Sequence, residues 1–218
     1  MFNYEGIEIS WLGHAGFKIK KDRIIYIDPY QLQGSPEKGD MVLITHEHFD
    51  HLSIEDLKKV VGPDTVIVTI PTCEGKVQRL KPKRVEVLWP GDKKNIEGVE
   101  VETVPAYNTN KFRSPGAVFH PKGEGKVGFI LTLAGRRVYH AGDTDNIPEM
   151  ERAKGVDVAL LPVSGTYVMT FNEAIEACRT IQPKVAIPMH YGAIVGSAED
   201  ARRFKEGAPS QVEVLERV

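Results

Sequence analysis

The feature that most constrains this chain is the segment THEHFDH at residues 45–51. It places four metal-binding side chains within six positions: His46, His48, Asp50 and His51. The two imidazoles that are two residues apart end the apolar run Met41 to Thr45, a predicted strand, so they can point the same way. Asp50 and His51 follow where the chain turns toward a predicted helix, and can add a second pair of ligands. Burying three histidines without a metal is expensive, so this segment predicts a metal site.

The ligand types indicate which ions are expected. Imidazole combined with carboxylate suits zinc, and also iron, manganese or nickel. We therefore expect one or two divalent metal ions as cofactors, zinc first, with manganese, nickel and iron as alternatives.

Two later predicted strands also end in side chains that bind metals. Val138-Tyr139 leads into HAGDTD at residues 140–145, and the apolar run 185–188 leads into Met189-His190. Taken alone, an Asp after Gly is most often a turn residue. Because sites in α/β folds collect at the carboxyl ends of strands, we expect Asp143 and His190 to join the histidine-rich segment.

Short apolar runs separated by Gly, Pro and Asp predict strands along most of the chain. The predicted strands cover residues 7–12, 16–20, 24–28, 41–45, 65–70, 84–88, 99–105, 127–133, 137–140, 156–162 and 184–189. Helical spacing predicts helices from Ser53 to Gly62-Pro63, from near Asn172, and from Ser197. Residues 106–126 are predicted to form a long loop, and a loop of this length in a compact domain is usually functional or mobile. With no linker or repeat, residues 1–218 are predicted to form a single mixed α/β domain.

These motifs together resemble a known family. HEHFDH, a GDTD after a strand and a late strand-ending His are similar to the metallo-β-lactamase superfamily. WLGHAGF at residues 11–17 with IDPY at 27–30 resembles its small stand-alone metal-dependent hydrolases, which are related to ascorbate-6-phosphate lactonase. The resemblance spans almost the whole chain, and it implies a four-layer αββα sandwich with a one- or two-metal site at one edge of the sheets.

The resemblance also implies a role for each ligand. His46 and His48 hold the first metal, and Asp50, His51 and His190 hold the second. Asp143 bridges the two ions. The implied nucleophile is a hydroxide on or between the metals, with a pKa that the cations lower, and Asp50 is the catalytic residue that orients it.

One position departs from the family pattern. The family supplies a third imidazole to the first metal from the strand before the long loop, and the matching residue here is Asn108. An amide oxygen is a poor replacement for imidazole at zinc. Three alternatives stay open: His120 folds back from the loop to complete the site, Asn108 binds weakly or through water, or the first site is underfilled.

Four other polar residues lie near these motifs. His14 is either a proton donor or substrate contact at the metals, or a structural histidine bonded to backbone. Asp28 either supports a ligand imidazole by accepting its proton or caps its own Asp-Pro turn. We expect His140 to support the site or the core rather than to bind metal, and Glu47 to point away from its histidine neighbours.

The function that these residues favour is metal-dependent hydrolysis of a small ester, lactone or phosphorylated metabolite. A phosphodiesterase or nuclease on the same metal core is the alternative. The nucleases of this superfamily usually carry a large inserted domain or a clear basic surface, and the net charge of −2 offers no general attraction for nucleic acid. A third hypothesis, from a different class, is a metal-binding or redox-sensing protein without hydrolytic turnover.

Composition sets the remaining expectations. The chain is 41% hydrophobic and 27% charged, as in ordinary soluble proteins. Cys73 and Cys178 lie far apart, and their spacing alone does not establish a disulfide. The N-terminus lacks the pattern of a signal peptide, and no apolar run approaches the roughly 18 residues of a membrane span, so a cytoplasmic protein is expected. The expected partner is a small-molecule substrate, with neither nucleic acid nor membrane, and a homo-oligomer stays open.

Overall fold

Two seven-stranded mixed β-sheets with helices make up the chain, which is described over residues 1–218 by a computed structural model. The chain divides into two compact units. The first consists of Met1–Trp89 with Leu215–Val218, and the second of Pro90–Val214. Each unit contains one of the large sheets. The α/β class predicted from the sequence is confirmed, and a single domain over residues 1–218 stays a prediction.

The sheet of the first unit follows chain order from one edge to the other. Its strands are β1 (Phe2–Tyr4), β2 (Ile7–Gly13), β3 (Gly16–Lys20), β4 (Ile24–Ile27), β5 (Met41–Leu43), β6 (Val66–Thr69) and β7 (Arg84–Val87). The first four strands pair antiparallel, and β4 to β7 pair parallel. β5 and β6 are buried throughout, as expected of parallel strands that are covered on both faces.

Two short helices complete the first unit: α1 (Ile54–Val60) and α2 (Pro71–Val77). The Ser53 hydroxyl caps α1 by accepting the backbone N–H of Asp56 at 3.4 Å. The Asp56 carboxylate accepts the backbone N–H groups of Gln31 and Leu32 at 2.8 and 2.9 Å. The helix start therefore also fixes the segment that follows β4.

The second unit adds nine strands, of which seven form its large sheet. They are β8 (Lys93–Ile96), β9 (Val99–Pro105), β10 (Phe112–Ser114), β11 (Ala117–Val118), β12 (Val127–Leu133), β13 (Arg136–His140), β14 (Val158–Pro162), β15 (Val185–Met189) and β16 (Gln211–Val212). The sheet order is β16-β15-β14-β13-β12-β9-β8, and β10 pairs with β11 in a separate hairpin. β13 to β16 pair parallel and the other pairs are antiparallel.

Both helices of the second unit begin with a complete capping box. α3 (Phe171–Ile181) uses Thr170 and Glu173, and α4 (Ala198–Gly207) uses Ser197 and Asp200. The predicted start of the last helix at Ser197 is confirmed. None of the chain's helices combines the length and the apolar character needed to cross a bilayer.

Strand ends place the predicted functional residues of each unit. In the first unit, Asp28 directly follows β4. The THEHFDH segment begins at Thr45, two residues after the end of β5. In the second unit, Asp143 lies three residues after β13, and His190 directly follows β15. Neighbouring parallel strands end at the same edge of a sheet, so each unit gathers its own candidate ligands at one sheet edge.

Several segments differ from the expectation. Residues 106–126 are not one irregular loop, because they contain the β10–β11 hairpin and a 3₁₀ turn at Lys122–Glu124. The sequence does not predict α2, since Gly75 and the β-branched Thr72 weaken its helical pattern. Nor does it predict β8, an edge strand in which three of four residues are exposed.

Gly128 in β12 gives a test of how tightly the second sheet is packed. A Cβ atom at this position would lie 2.5 Å from the backbone oxygen of His140 and 2.6 Å from that of Ala141. We expect Gly128→Ala to push β13 away and to lower the free energy of unfolding by about 1–3 kcal/mol, as overpacking does. Urea unfolding measures this. Gly75→Ala, with nothing within 4 Å of the added Cβ, is the matched control, and equal stability of the two variants would contradict the close approach.

Candidate metal centre

A tight turn after β5 brings the histidines of the first unit together. The backbone N–H groups of His51 and Leu52 donate to the His48 carbonyl at 3.1 and 2.8 Å. This turn folds the chain back, so that the ring centres of His46 and His51 lie 4.0 Å apart. Both imidazoles are buried, at 1% and 0% exposure. The predicted ligands of this segment therefore form one cluster rather than an extended row.

His46 and His48 direct ring nitrogens at each other. His46 Nε2 lies 3.0 Å from His48 Nδ1. The Thr45 hydroxyl donates to Asp28 at 2.6 Å and lies 3.0 Å from His46 Nδ1, so it accepts the Nδ1 proton of His46. The Nε2 atom of neutral His46 then carries a lone pair. Two ring nitrogens at this distance need a proton or a cation between them.

Asp28 organises the cluster without belonging to the HxHxDH motif. Its carboxylate accepts the backbone N–H of Thr45 at 2.9 Å and lies 2.7 Å from His51 Nδ1. Both Asp28 and His51 have no exposed surface. Because a carboxylate accepts the Nδ1 proton, His51 presents the lone pair of Nε2. Of the two roles considered for Asp28, support of an imidazole and capping of its own turn, the structure therefore shows a hydrogen bond to the His51 imidazole.

Asp50 lies between two imidazoles of the first unit. Its Oδ2 atom is 2.9 Å from His14 Nε2 and 3.6 Å from His51 Nε2. His14 is 1% exposed and has a left-handed backbone, with φ of 51°, in the turn between β2 and β3. Trp11 Nε1 fixes that turn by donating to the His14 carbonyl at 2.9 Å. The side chain of His14 thus contacts the Asp50 carboxylate.

Asp143 is the centre of the cluster in the second unit. Its Oδ2 atom lies 3.4 Å from His120 Nε2 and 3.2 Å from His190 Nε2. All three side chains are buried, at 3% exposure or less. The loop residue His120 therefore does fold back beside Asp143, although it lies 23 positions before it in the sequence.

Ser164, which follows β14, holds His190 in place. Its Oγ donates to the Thr166 carbonyl at 3.3 Å and lies 3.3 Å from His190 Nδ1. The hydroxyl oxygen therefore accepts the Nδ1 proton, which leaves His190 Nε2 with a lone pair directed toward Asp143.

The Asn108 amide is engaged on both ends by the protein. Its Oδ1 accepts the His120 backbone N–H at 2.9 Å and lies 2.9 Å from His120 Nδ1. Its Nδ2 donates to Asp145 Oδ1 at 3.1 Å and to the Tyr167 carbonyl at 2.8 Å. Among the three alternatives for the missing imidazole, this geometry favours His120 beside Asp143, because the amide of Asn108 is committed to other groups.

Two candidates have structural partners. His140 is fully buried, and its Nδ1 accepts the backbone N–H of Gly142 at 3.2 Å. Glu47 accepts the Thr72 hydroxyl at 3.2 Å. Burial raises the pKa of Cys73 to about 11 and that of Cys178 to about 12, so these free thiols stay protonated near neutral pH. Neither sulfur belongs to the two groups of clustered donor atoms.

The donor set fits divalent metal ions. With ligand bonds of about 2.0–2.2 Å, neighbouring donor atoms around a tetrahedral ion lie about 3.3–3.6 Å apart. The Asp143–His120, Asp143–His190 and Asp50–His51 pairs are 3.4, 3.2 and 3.6 Å apart. The donor atoms of His14, Asp50 and His51 lie within 4.8 Å of one another. Two buried His/Asp clusters, one in each unit, therefore suggest divalent metal binding.

Most residues that hydrogen-bond to the candidate ligands cannot be found from sequence patterns. Thr45 is an exception, because a hydroxyl residue directly before His46 is a usable signal. Ser164 lies 26 residues before His190, and Tyr167 acts through its backbone carbonyl, so neither leaves a pattern. Asp145 is visible only as the last residue of GDTD.

Comparison with known proteins identifies the fold. The sequence matches the profile of the beta-lactamase superfamily domain over residues 8–190. It is 35% identical to a UPF0173 metal-dependent hydrolase from Methanoculleus marisnigri, covering 91% of this chain and 87% of that one. It is 33% identical to another from Methanopyrus kandleri, covering 96% and 97%. The crystal structure of a protein from Parabacteroides distasonis, assigned as a metal-dependent hydrolase, aligns with a TM-score of 0.81 at 34% identity, covering 95% and 92%.

These matches define the class: the chain has the metallo-β-lactamase fold and is a metal-dependent hydrolase of that superfamily. More narrowly, it belongs to the UPF0173 family of metal-dependent hydrolases. The superfamily prediction from HEHFDH, GDTD and the late histidine is confirmed. The narrower relation to ascorbate-6-phosphate lactonase stays a prediction.

Acid titration tests how the loop after β9 is anchored to α3. Burial raises the pKa of Glu173, but hydrogen bonds from Lys111, Asn110 and Thr170 outweigh it and lower this pKa from its ordinary 4.5 to about 2. A carboxyl with a lowered folded-state pKa stabilises the fold above its unfolded-state pKa. We therefore expect this stability to be lost as the pH falls from about 4.5 toward about 2.

The measurement is the free energy of unfolding across that pH window for wild type and Glu173→Gln. The variant should lose less stability on acidification than the wild type. Glu176→Gln, on the exposed side of the same helix, is the control and should behave as wild type. An equal acid loss in wild type and Glu173→Gln would contradict this role of the Lys111–Glu173 pair.

Proposed function

We propose that this hydrolase cleaves a small ester or lactone with two divalent metal ions. His46, His48 and His120 would hold the first ion. Asp50, His51 and His190 would hold the second, and Asp143 would bind both. The observation that carries the proposal is the contact of Asp143 Oδ2 with one imidazole from each ligand set. His120 Nε2 lies 3.4 Å from this oxygen, and His190 Nε2 lies 3.2 Å from it.

Family membership supports this assignment of the ligands. The superfamily profile covers residues 8–190, a range that contains every proposed ligand. The related protein from Parabacteroides distasonis aligns over 95% of this chain, which includes both units. This also supports treating residues 1–218 as one functional domain.

The chemistry divides between the ions and the protein. Bound divalent ions lower the pKa of a water toward neutrality and polarise a carbonyl oxygen. Hydrolysis adds the water oxygen to the carbonyl carbon, breaks the bond to the leaving oxygen, and delivers a proton to that oxygen. Asp50 is the carboxylate placed to orient the water and carry the proton, since His14 Nε2 holds its Oδ2 atom at 2.9 Å. Asp28 makes His51 a stronger donor by accepting its Nδ1 proton.

Aromatic side chains next to Asp50 favour an ester or lactone over a phosphorylated metabolite. Phe49 is 67% exposed although it lies between two predicted ligands. Its ring meets that of Tyr30 edge-on, with centroids 6.0 Å apart, and Tyr30 lies 6.1 Å from the His14 ring. An exposed apolar surface gains free energy when it covers an apolar part of a substrate.

The imidazole content of the proposed site favours zinc. Five of the seven proposed ligands are histidines, and neither cysteine belongs to the groups of clustered donor atoms. Imidazole with carboxylate also accepts manganese, nickel and iron, so these ions belong in any test of activity.

The test measures metal content and turnover together. Metal-free protein is loaded with zinc, manganese, nickel or iron and assayed on lactones, aryl esters and phosphodiesters. We expect about two ions per chain and turnover of lactones or aryl esters. Asp143→Ala should lose one or both ions by elemental analysis and lose turnover, because it removes the proposed bridge.

The exposed Asp64 provides the control, since Asp64→Ala should keep both metals and activity. Unchanged metal content in Asp143→Ala would contradict the bridging role of Asp143. Metal binding without turnover on any substrate would favour a non-hydrolytic metal protein, and cleavage of phosphodiesters alone would favour the nuclease-type alternative.

A further inference from the structure

The loop histidine His120 needs a fixed orientation, because loop residues are otherwise free to turn. Its ring is 1% exposed, and Nδ1 lies 2.9 Å from Asn108 Oδ1 and 3.2 Å from the Tyr167 carbonyl. Both neighbours are acceptors. Nδ1 therefore carries the proton, and Nε2, 3.4 Å from Asp143 Oδ2, presents its lone pair.

The direction of the Asn108 amide follows from its other contacts. Its nitrogen faces Asp145 Oδ1 and the Tyr167 carbonyl, at 3.1 and 2.8 Å, and neither of these groups can donate. The nitrogen must therefore lie on that side, and the oxygen on the side of His120. The backbone strengthens the same pairing, since Asn108 N–H donates to the His120 carbonyl at 2.8 Å, and His120 N–H donates to Asn108 Oδ1 at 2.9 Å.

Asp145 in turn fixes the first residues of the loop. Its carboxylate accepts the backbone N–H groups of Thr109 and Asn110 at 2.6 and 3.0 Å, and lies 3.3 Å from Lys111 Nζ. Its own N–H donates to the Tyr107 carbonyl at 2.9 Å. The residue two positions after Asp143 thus ties the loop base to the turn that carries the proposed bridge.

We propose that Asn108 is a positioning residue: its amide, oriented by Asp145 and Tyr167, fixes the Nδ1–H tautomer and the direction of His120, so that a loop imidazole takes the ligand position next to Asp143. This rests on the proposed function in one respect, the assignment of His120 as a ligand. Asn108 itself does not bind the metal. Asn108 stands at the position where the family pattern has a ligand imidazole. By positioning His120, it allows that histidine to take the ligand role instead.

The first measurement uses metal-free wild-type protein and needs neither a metal nor a substrate. ¹⁵N NMR of the histidine side chains, with His120 assigned by the signal missing in His120→Gln, reports which ring nitrogen carries the proton. We expect Nδ1–H for His120. An Nε2–H tautomer in the folded protein would overturn the proposal.

The second measurement is Zn²⁺ affinity by competition with a chromophoric chelator. Asn108→Ala should weaken the lower-affinity Zn²⁺ site by about 10- to 100-fold, the usual effect of removing a partner of a ligand imidazole. Asn110→Ala is the matched control, since its amide donates to Glu173 on the exposed side of the loop, and it should bind Zn²⁺ as wild type does. Equal affinity in the two variants would overturn the role of Asn108.

The two experiments separate this inference from the proposed function. A wild type that binds Zn²⁺ and has Nδ1–H on His120, but cleaves no ester or lactone, refutes the proposed reaction and leaves the positioning role intact. A wild type that hydrolyses lactones while His120 carries its proton on Nε2 refutes the positioning role and leaves the reaction intact.

Discussion

A neutral imidazole offers its Nε2 lone pair to a cation when its proton is on Nδ1, and this constraint on the tautomer organises four of the five proposed histidine ligands. In the first unit, Asp28 and Thr45 hold the Nδ1 protons of His51 and His46. In the second, Ser164 and Asn108 do the same for His190 and His120. Each acceptor comes from a different segment than its imidazole, except Thr45. The fold therefore presents Nε2 lone pairs rather than merely gathering histidines.

Two buried aspartates that are not proposed ligands connect this constraint to the fold. Asp28, at the end of β4, fixes Thr45 and His51 after β5. Asp145 fixes the base of the loop that carries His120. Both are 1% exposed or less, and an unpaired charge at such depth would be costly. Their cost is offset by several N–H and O–H donors each, so changes at these positions should disturb the proposed ligands that these donors adjoin.

The strands are predicted well from the sequence. The candidate ligands at their ends also follow from local patterns, HxHxDH and an apolar run that ends in GD. It leaves the origin of the third imidazole open, because the contact between Asn108 and His120 spans 12 residues and depends on Asp145 and the Tyr167 carbonyl. β8 is not predicted because an exposed edge strand has no apolar alternation. The contact between Ser164 and His190 is not predicted because a single serine has no sequence pattern that indicates its neighbour in the fold.

Anomalous diffraction at the metal edges, from crystals of the metal-loaded protein, tests the proposed site most directly. We predict two ions per chain, with Asp143 bound to both, His120 Nε2 bound to one of them, and Asn108 bound to neither. A single ion, or an ion coordinated by the Asn108 oxygen in place of His120, would contradict it.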